Sequence, residues 1–269
     1  MNSTKKVGAY VLSRRSLVVA CITASIVPWV SAQVANASQA VNVAARQRTL
    51  LARMTKNYCE VGRGIDPAGS QMLLNESVAQ FDLALSQLRV SAPTAEIKDT
   101  FSKLSAKWND FKDVVAGSVI VKERVKLVFD GAEDLMVLAD LATLQLEQAT
   151  GKALSKLTNV CSRQRMLTQQ IAAYGFARNW ALTAAQVQPQ IVKRQQEYAQ
   201  ALVFLQGAKE NTADMKRNLS EVANMWVFFD LALADTKNER PKALADMATA
   251  SELILKAYEE LTGLYERLG

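Results

Sequence analysis

An internal repeat is the feature of this 269-residue chain that most constrains its fold. Residues 42–50 read Asn-Val-Ala-Ala-Arg-Gln-Arg-Thr-Leu, and residues 159–167 read Asn-Val-Cys-Ser-Arg-Gln-Arg-Met-Leu, at an offset of 117 residues. Both copies, which we call boxes, share an asparagine, an Arg-Gln-Arg triplet and a leucine at the same spacing. A repeat of this length predicts two like units that pack against each other.

The two copies also correspond downstream of the boxes. The apolar positions first keep the offset of 117 residues and then change to 118. A slip of one residue is what an insertion in a loop between two helices produces. The matching residues are Phe81, Ala84, Leu85 and Leu88 with Tyr198, Ala201, Leu202 and Leu205, then Ile97, Leu104, Trp108 and Phe111 with Met215, Val222, Trp226 and Phe229.

The spacing of apolar residues predicts helices throughout. Only 11 glycines and 5 prolines interrupt the chain, and both residues break helices. Leu74, Val78 and Phe81 begin a stripe with spacings of four and three, which is typical of a helix with one buried face. The predicted helices are residues 38–62, 70–90, 95–115 (capped by Thr94) and 120–149 in the first unit, and 152–184, 188–207, 211–233 and 241–267 in the second, with breaks at Pro189, Gly207 and Pro241.

We therefore expect an all-α fold made of two tandem up-down four-helix units, residues 38–149 and 150–269, packed as a pseudo-two-fold bundle. Four helices in this order return the chain to its starting end. If the chain turns at Gly151, the first helices of both units run parallel and the boxes lie at the same height. If Gly151 lies within one continuous helix, the boxes are far apart. The sequence leaves both arrangements open.

The N-terminus predicts an export signal over residues 1–37. Basic residues precede an apolar run, residues 16–29, that is too short for a comfortable membrane span. Ala35-Asn-Ala37 fits a cleavage site, with Ala32 as the alternative. The pair Arg14-Arg15 is typical of a twin-arginine signal, although an ordinary secretory signal also fits. A retained anchor and a lipoprotein at Cys21 are further alternatives, but a periplasmic location is the expectation.

The charge of the chain does not indicate a nucleic-acid partner. The formal net charge is +6, but residues 1–37 hold four Lys and Arg residues and no acidic residue, so the mature chain carries about +2. The basic character therefore belongs largely to the signal.

The absence of histidine limits the chemistry of the chain. It excludes Ser-His and Cys-His catalysis and histidine-bound metal, and no paired-carboxylate motif appears. We expect no enzymatic activity, no metal and no cofactor. In parallel units Cys59 and Cys161 would be offset by about 15 residues, roughly 22 Å, so both are predicted to be free thiols.

The boxes are the candidate binding site. On a helix, Arg48 is displaced by about 200° from Arg46, so only one of them can face the other unit. A guanidinium suits a small planar oxyanion because its donors form a fixed fork. Two such arginines brought together across the units would repel unless an anion lies between them. The candidate ligand-binding residues are Arg48, Arg165, Arg46, Arg163, Asn42 and Asn159, with the small residues Ala45 and Ser162 beside them.

The boxes resemble the signature of the PilJ-like sensory domain, which occurs in type IV pilus chemoreceptors and in nitrate/nitrite sensor kinases. That signature often reads close to N-x-A-G-R-Q-R-M-L-x-Q-R-M. The second box has Cys161 and Ser162 in place of its Ala and Gly, and the first has Ala45 for Gly and Thr49 for Met. The matching residues are Asn159, Arg163, Gln164, Arg165, Met166, Leu167 and Gln169 in the second copy, and Asn42, Ala44, Arg46, Gln47, Arg48, Leu50, Arg53 and Met54 in the first.

This resemblance implies a function. In the nitrate sensors of the family, the arginine that precedes Met binds nitrate at a dimer interface, and it corresponds to Arg48 and Arg165. A single chain would thus imitate the dimer, bind a small anion such as nitrate or nitrite, and signal through a separate membrane receptor. The alternative is a helical adaptor or structural protein of the envelope that binds no ligand. For Trp108 and Trp226 we expect core packing, and for Glu123, Glu133, Asp134 and Asp140 a solvated helix face.

Overall fold

The computed structural model describes residues 37–116, 119–151 and 156–268. Within these ranges the chain forms eight α-helices and two short 3-10 helices, at Lys122–Arg124 and Thr236–Asn238, and no β-strand. The predicted all-α class is therefore confirmed. The helices are α1 (Ala37–Gly62), α2 (Pro67–Ser91), α3 (Ala95–Val115), α4 (Val125–Thr150), α5 (Lys156–Ala177), α6 (Ala184–Gln206), α7 (Ala213–Asp235) and α8 (Pro241–Glu266).

Local sequence signals start most of these helices. Thr94, Thr183 and Thr212 each accept a hydrogen bond from a backbone N–H of the first turn of α3, α6 and α7. Such caps satisfy donors that have no partner within the helix. Proline occupies the first position of α2 and α8, where its missing N–H costs nothing.

The boundary between α5 and α6 differs from the predicted one. The prediction placed helices at residues 152–184 and 188–207 with a break at Pro189, but α5 ends at Ala177 and Pro189 lies inside α6. Two local features fix the actual turn. Asn179 takes a left-handed conformation with φ of 60°, and Thr183 forms a reciprocal capping box with Gln186.

The chain turns after α4, so the continuous helix through Gly151 is excluded. Helix α4 ends at Thr150, and Gly151 caps it with φ of 61°, a left-handed conformation that glycine adopts readily. Helix α1 packs beside α5. The C-terminal ends of the two helices lie side by side, since Arg63 after α1 donates to the carbonyls of Phe176 and Arg178 at the end of α5. The two helices are therefore parallel.

Helices α1 and α5 hold equivalent places in the bundle. Helix α1 packs against α2 and α4, and α3 packs against α4; likewise α5 packs against α6 and α8, and α7 against α8. One hydrophobic core receives buried side chains from all eight helices. Trp108 is buried in this core, as predicted, while Trp226 is half-buried and stacks on Tyr198 with ring centroids 3.6 Å apart.

No helix in the described ranges is both long enough and apolar enough to cross a membrane. The predicted export signal falls outside the described residues except for its last position, Ala37, which begins α1. The predicted unit boundary near residue 150 remains a prediction.

Candidate functional site

The second arginine of each box is buried. Arg48 on α1 and Arg165 on α5 each expose only 6% of their surface. They occupy matching positions in the first halves of two parallel, adjacent helices. Burial lowers the pKa of Arg165, and the positive charge of Arg48 acts in the same direction, while Glu259 and Glu266 oppose the shift. The two guanidinium groups are therefore close enough to repel each other.

The two buried arginines have different partners. Arg48 donates from Nη1 to Oδ1 of Asp140 on α4 at 2.6 Å, and from Nε to the carbonyl of Ala45 at 3.2 Å. Arg165 donates from Nη2 to Oγ of Ser162 at 3.0 Å and forms no ion pair within the described residues. The small residues beside the arginines thus act as hydrogen-bond acceptors.

The first arginine of each box points elsewhere. Arg46 is half-buried and pairs with Glu259 on α8 at 3.3 Å, whereas Arg163 is half-exposed and pairs with Glu197 on α6 at 3.0 Å. Burial lowers the pKa of Arg46. The structure therefore brings Arg48 and Arg165 together with Arg46 near them, and it places Arg163 on the outer surface. The asparagines Asn42 and Asn159 are both half-buried, and Ala45 and Ser162 are buried.

Several buried polar atoms near the boxes have no hydrogen-bond partner. They include Nη2 of Arg48 and Nε of Arg165, together with both amide atoms of Gln47 and the hydroxyl of Thr49. Buried polar groups of this kind are costly unless they are satisfied. Each buried arginine thus retains a donor that no protein group uses.

The side chain of Gln47 also shows how the units differ. Its counterpart Gln164 donates to the carbonyl of Tyr198 at 2.9 Å and to the hydroxyl of Tyr258 at 3.2 Å. The residue that corresponds to Tyr198 in the first unit is Phe81, which has no hydroxyl. The Tyr258 hydroxyl donates in turn to the hydroxyl of Tyr198 at 3.1 Å. The second unit therefore contains a polar network that the first lacks, although Oε1 of Gln164 has no partner in it.

None of four well-formed cavities in the described part of the chain is lined by Arg48 or Arg165. Three are surface grooves of 580, 560 and 480 Å³, located at the α5–α6–α8 end, between α7 and α8, and between α2 and α3. The fourth is a void of about 10 Å³ among α1, α4 and α5. The arginines lie within the helix interface instead, so a ligand there would have to be small.

A buried ion network between α1 and α8 was missed by the sequence analysis. Lys56, whose side chain is fully buried, pairs with Glu252 at 2.5 Å and with Glu60 at 3.5 Å. Arg53 pairs with the other oxygen of Glu252 at 2.6 Å. Burial disfavours ionisation of Glu252, but Lys56 and Arg53 outweigh it and hold its pKa at about 2. The seven-residue spacing of Arg46, Arg53 and Glu60 on one helix face was the available signal.

The four carboxylates predicted to form a solvated helix face, Glu123, Glu133, Asp134 and Asp140, are all exposed, and two of them also pair with buried arginines. Asp140 pairs with buried Arg48, and Glu133 pairs with buried Arg194 at 2.7 Å. Each carboxylate is 54% exposed, so each links a buried cation to the surface. Cys59 and Cys161 are buried free thiols. The described residues hold no cluster of three potential metal-binding side chains.

The described residues form an all-α bundle with the first box on its first helix. In a comparison with protein families, residues 29–124 match the PilJ family, described as the type IV pili methyl-accepting chemotaxis transducer N-terminal domain. This part of the chain is therefore similar to a PilJ domain, a sensory domain of the chemotaxis-transducer type. Comparisons with curated proteins and with solved structures gave no match.

The family match covers the first box and α1 to α3 and ends at Arg124. It does not include the second box. The presence of a second, tandem PilJ-like unit therefore stays a prediction from the repeat.

Proposed function

We propose that this protein is an exported sensor of a small oxyanion, of the nitrate or nitrite kind, which binds between Arg48 and Arg165. One observation carries the proposal. Two buried arginines from equivalent positions of the repeat lie on adjacent parallel helices, and each keeps a buried nitrogen without a partner. An anion would accept hydrogen bonds from both groups and remove the repulsion between them.

The charges around the pair support an anion rather than a neutral ligand. Arg46 adds a third positive charge. Burial lowers the pKa of Arg46, Glu259 opposes this shift, and the nearby charge of Arg165 lowers the pKa further. Asp140 and Glu259 offset this charge only in part, since Asp140 is 54% exposed and Glu259 pairs with Arg46. A buried excess of positive charge favours a bound anion.

Anion binding at this place would couple to helix spacing. Arg48 belongs to α1 and Arg165 to α5, so an anion held by both draws the two helices together. Release of the anion restores the repulsion. In this proposal a membrane receptor or sensor protein reads the resulting change in the bundle.

A second candidate is an adaptor or structural helical protein that binds no ligand. The specific observation in its favour is that Arg48 already has Asp140 as a partner at 2.6 Å and Arg165 has Ser162 at 3.0 Å. If these hydrogen bonds to Asp140 and Ser162 are sufficient, the two arginines would serve only to hold α1 and α5 in register.

Isothermal titration with nitrate, nitrite and chloride at constant ionic strength separates the two candidates. We expect binding to the wild-type protein and a loss of at least tenfold in affinity in Arg48→Gln and Arg165→Gln. The matched control is Arg163→Gln, which removes the same charge from the outer surface of the same box and should bind normally. Absence of binding to the wild type, or equal losses in all three variants, would favour the adaptor.

Export is tested separately by fractionation of cells that produce the full chain with a C-terminal tag. We expect the protein in the periplasm in a form shortened near residue 37. A conservative Arg14→Lys, Arg15→Lys variant should accumulate as precursor if the signal is of the twin-arginine kind, and should be exported normally if the signal is an ordinary secretory one.

A further inference from the structure

A second buried arginine site lies at the opposite end of the α1–α5 pair from the boxes. Arg178 follows the last residue of α5 and exposes only 3% of its surface. It lies 13 residues beyond Arg165, which corresponds to about 20 Å along a helix. It is therefore separate from the pair proposed to bind nitrate.

The Arg178 side chain differs from the other buried arginines of the described residues. Arg48 and Arg194 each pair with a carboxylate, and Arg165 has a serine hydroxyl and lies in the field of Glu259. Nε and Nη1 of Arg178 are enclosed and have no hydrogen-bond partner. Burial lowers its pKa, and no neighbouring carboxylate opposes the shift.

The backbone around Arg178 is held firmly. Its N–H donates to the carbonyl of Tyr174 at 3.0 Å, and its carbonyl accepts from Nη1 of Arg63 at 3.0 Å. In the turn that follows, Asn179 donates to the carbonyl of Leu182 at 2.9 Å. The guanidinium therefore starts from a fixed backbone, which lowers the entropic cost of binding.

Arg63 has a structural explanation that Arg178 lacks. Its guanidinium bonds the last carbonyls of α5, a common role of arginine at a helix C-terminus. It also brings a second positive charge beside the Arg178 backbone, and neither arginine forms an ion pair within the described residues. A buried guanidinium without a counterion is strongly unfavourable.

We propose that Arg178 is the anchor of a second anion site, which takes a small oxyanion with two adjacent oxygens, such as sulfate, phosphate or a carboxylate. Two oxygens of such an anion match two nitrogens of one guanidinium edge. We place the entering anion on the side of Nη2, the nitrogen of this guanidinium that is not a buried atom without a partner. This site does not depend on whether the boxes bind nitrate.

Thermal unfolding of the full chain in sulfate, phosphate, acetate and chloride at matched ionic strength tests the site. We expect the oxyanions to raise the Tm of the wild-type protein above that in chloride, since a ligand that binds only the folded state stabilises it. The Arg178→Leu variant should be at least as stable as wild type in chloride, because it removes an unpaired buried charge, and should lose the oxyanion-dependent rise. A rise with sulfate and phosphate but not acetate identifies a tetrahedral anion; a rise with acetate as well identifies carboxylates.

Two controls keep the result specific. Arg163→Leu makes the same change of charge and side-chain type at a half-exposed position and should retain the full oxyanion effect. The double variant Arg48→Gln, Arg165→Gln should retain it too, which separates this site from the boxes. If Arg178→Leu does not fold, Arg178→Lys keeps the charge without the fork, and titration should show at least tenfold weaker sulfate binding. No rise in the wild type, or the same rise in Arg178→Leu, overturns the proposal.

Discussion

The guanidinium of Arg48 lies 2.6 Å from the carboxylate of Asp140, measured from Nη1 to Oδ1, whereas Arg165 at the matching position of the second box has only a serine hydroxyl. The two halves of the arginine pair are thus unequal. One arginine is partly neutralised from α4, and the other depends on its surroundings for a counter-charge.

This inequality gives the first prediction. In Asp140→Asn the competing carboxylate is gone, so the affinity for nitrate should rise about threefold to tenfold, which corresponds to about 1 kcal/mol. Titration calorimetry measures the change. The control is Asp134→Asn, which removes the same charge from α4 at a residue that pairs with exposed Lys107. A weaker nitrate affinity in Asp140→Asn would instead mean that Asp140 orients Arg48.

The buried network between α1 and α8 gives the second prediction. Replacing Glu252 by Gln leaves fully buried Lys56 with the carboxylate of Glu60 at 3.5 Å and the hydroxyl of Ser251 at 3.2 Å. It leaves Arg53 with the distant Glu76 at 4.0 Å. We expect a loss of about 2–4 kcal/mol in the free energy of unfolding, measured by urea denaturation. Asp246→Asn breaks an exposed pair with Lys242 and should cost no more than about 1 kcal/mol. Similar losses in both variants would contradict the role of burial.

The same carboxylate gives a pH prediction. The pKa of Glu252 is lowered from 4.5 to about 2, so its contribution to stability is complete above 4.5 and is lost as the pH falls toward 2. Burial raises the pKa of Glu60, so protonation of Glu60 favours the folded state and precedes this loss. The stability difference between wild type and Glu252→Gln should therefore shrink between pH 4.5 and about pH 3. The midpoints of urea unfolding of both proteins, measured as a function of pH, give this difference. A stability difference that stays constant down to pH 3 would contradict the lowered pKa of Glu252.

The contact between Gly62 and Trp180 gives the fourth prediction. A Cβ atom on Gly62 would lie 2.1 Å from Cη2 of the Trp180 ring, so Gly62→Ala must displace the indole. We expect a destabilisation of about 1–3 kcal/mol, although alanine is the better helix former. At Gly263 on α8 an added Cβ meets only the end of the Arg267 side chain at 3.7 Å. Gly263→Ala should therefore stabilise, and the opposite signs of the two changes are measurable in thermal melts.

The two thiols give the fifth prediction. Burial raises the pKa of Cys59, and it raises that of Cys161 to about 11, so neither thiol forms the reactive thiolate at neutral pH. In a Cys21→Ser background we expect no reaction with a thiol reagent in the folded protein and two reacting groups in urea. A Ser220→Cys variant, at an exposed position, supplies the positive control. Rapid labelling of the folded background protein would refute the buried placement.

Much of the fold follows from local signals that the sequence displays. The stripe that begins at Leu74 and the cap at Thr94 predict α2 and α3, and Gly151 offers the turn that the structure contains. The end of α5 was not predictable in this way. The turn that follows it contains neither glycine nor proline, and the capping box at Thr183 starts α6 five residues before Pro189, the apparent breaker.

The repeated sequence marks Arg48 and Arg165 as candidate site residues, whereas the buried network between α1 and α8 has no counterpart in the repeat. The matching positions of Arg48 and Arg165 marked them before any contact was known. The residues that correspond to Arg53 and Lys56 in the second unit are Gln170 and Ala173, so a search for repeated residues passes over the buried network. Its acidic partner, Glu252, lies nearly 200 residues away in sequence. These charges meet because α1 and α8 both pack against α5, and no local sequence pattern contains that information.

The ion pairs between α1 and α8 fix the register of these two helices along their axes. Arg46 pairs with Glu259 and Arg53 with Glu252, so a step of seven residues along α1 matches a step of seven residues back along α8. Sliding one helix past the other by a single turn, about 5.4 Å, breaks both pairs and separates Lys56 from Glu252. Lengthwise sliding of α1 against α8 is therefore unfavourable. In the proposed sensor, anion binding at the boxes would therefore tilt or rotate α5 while α1 and α8 keep their register.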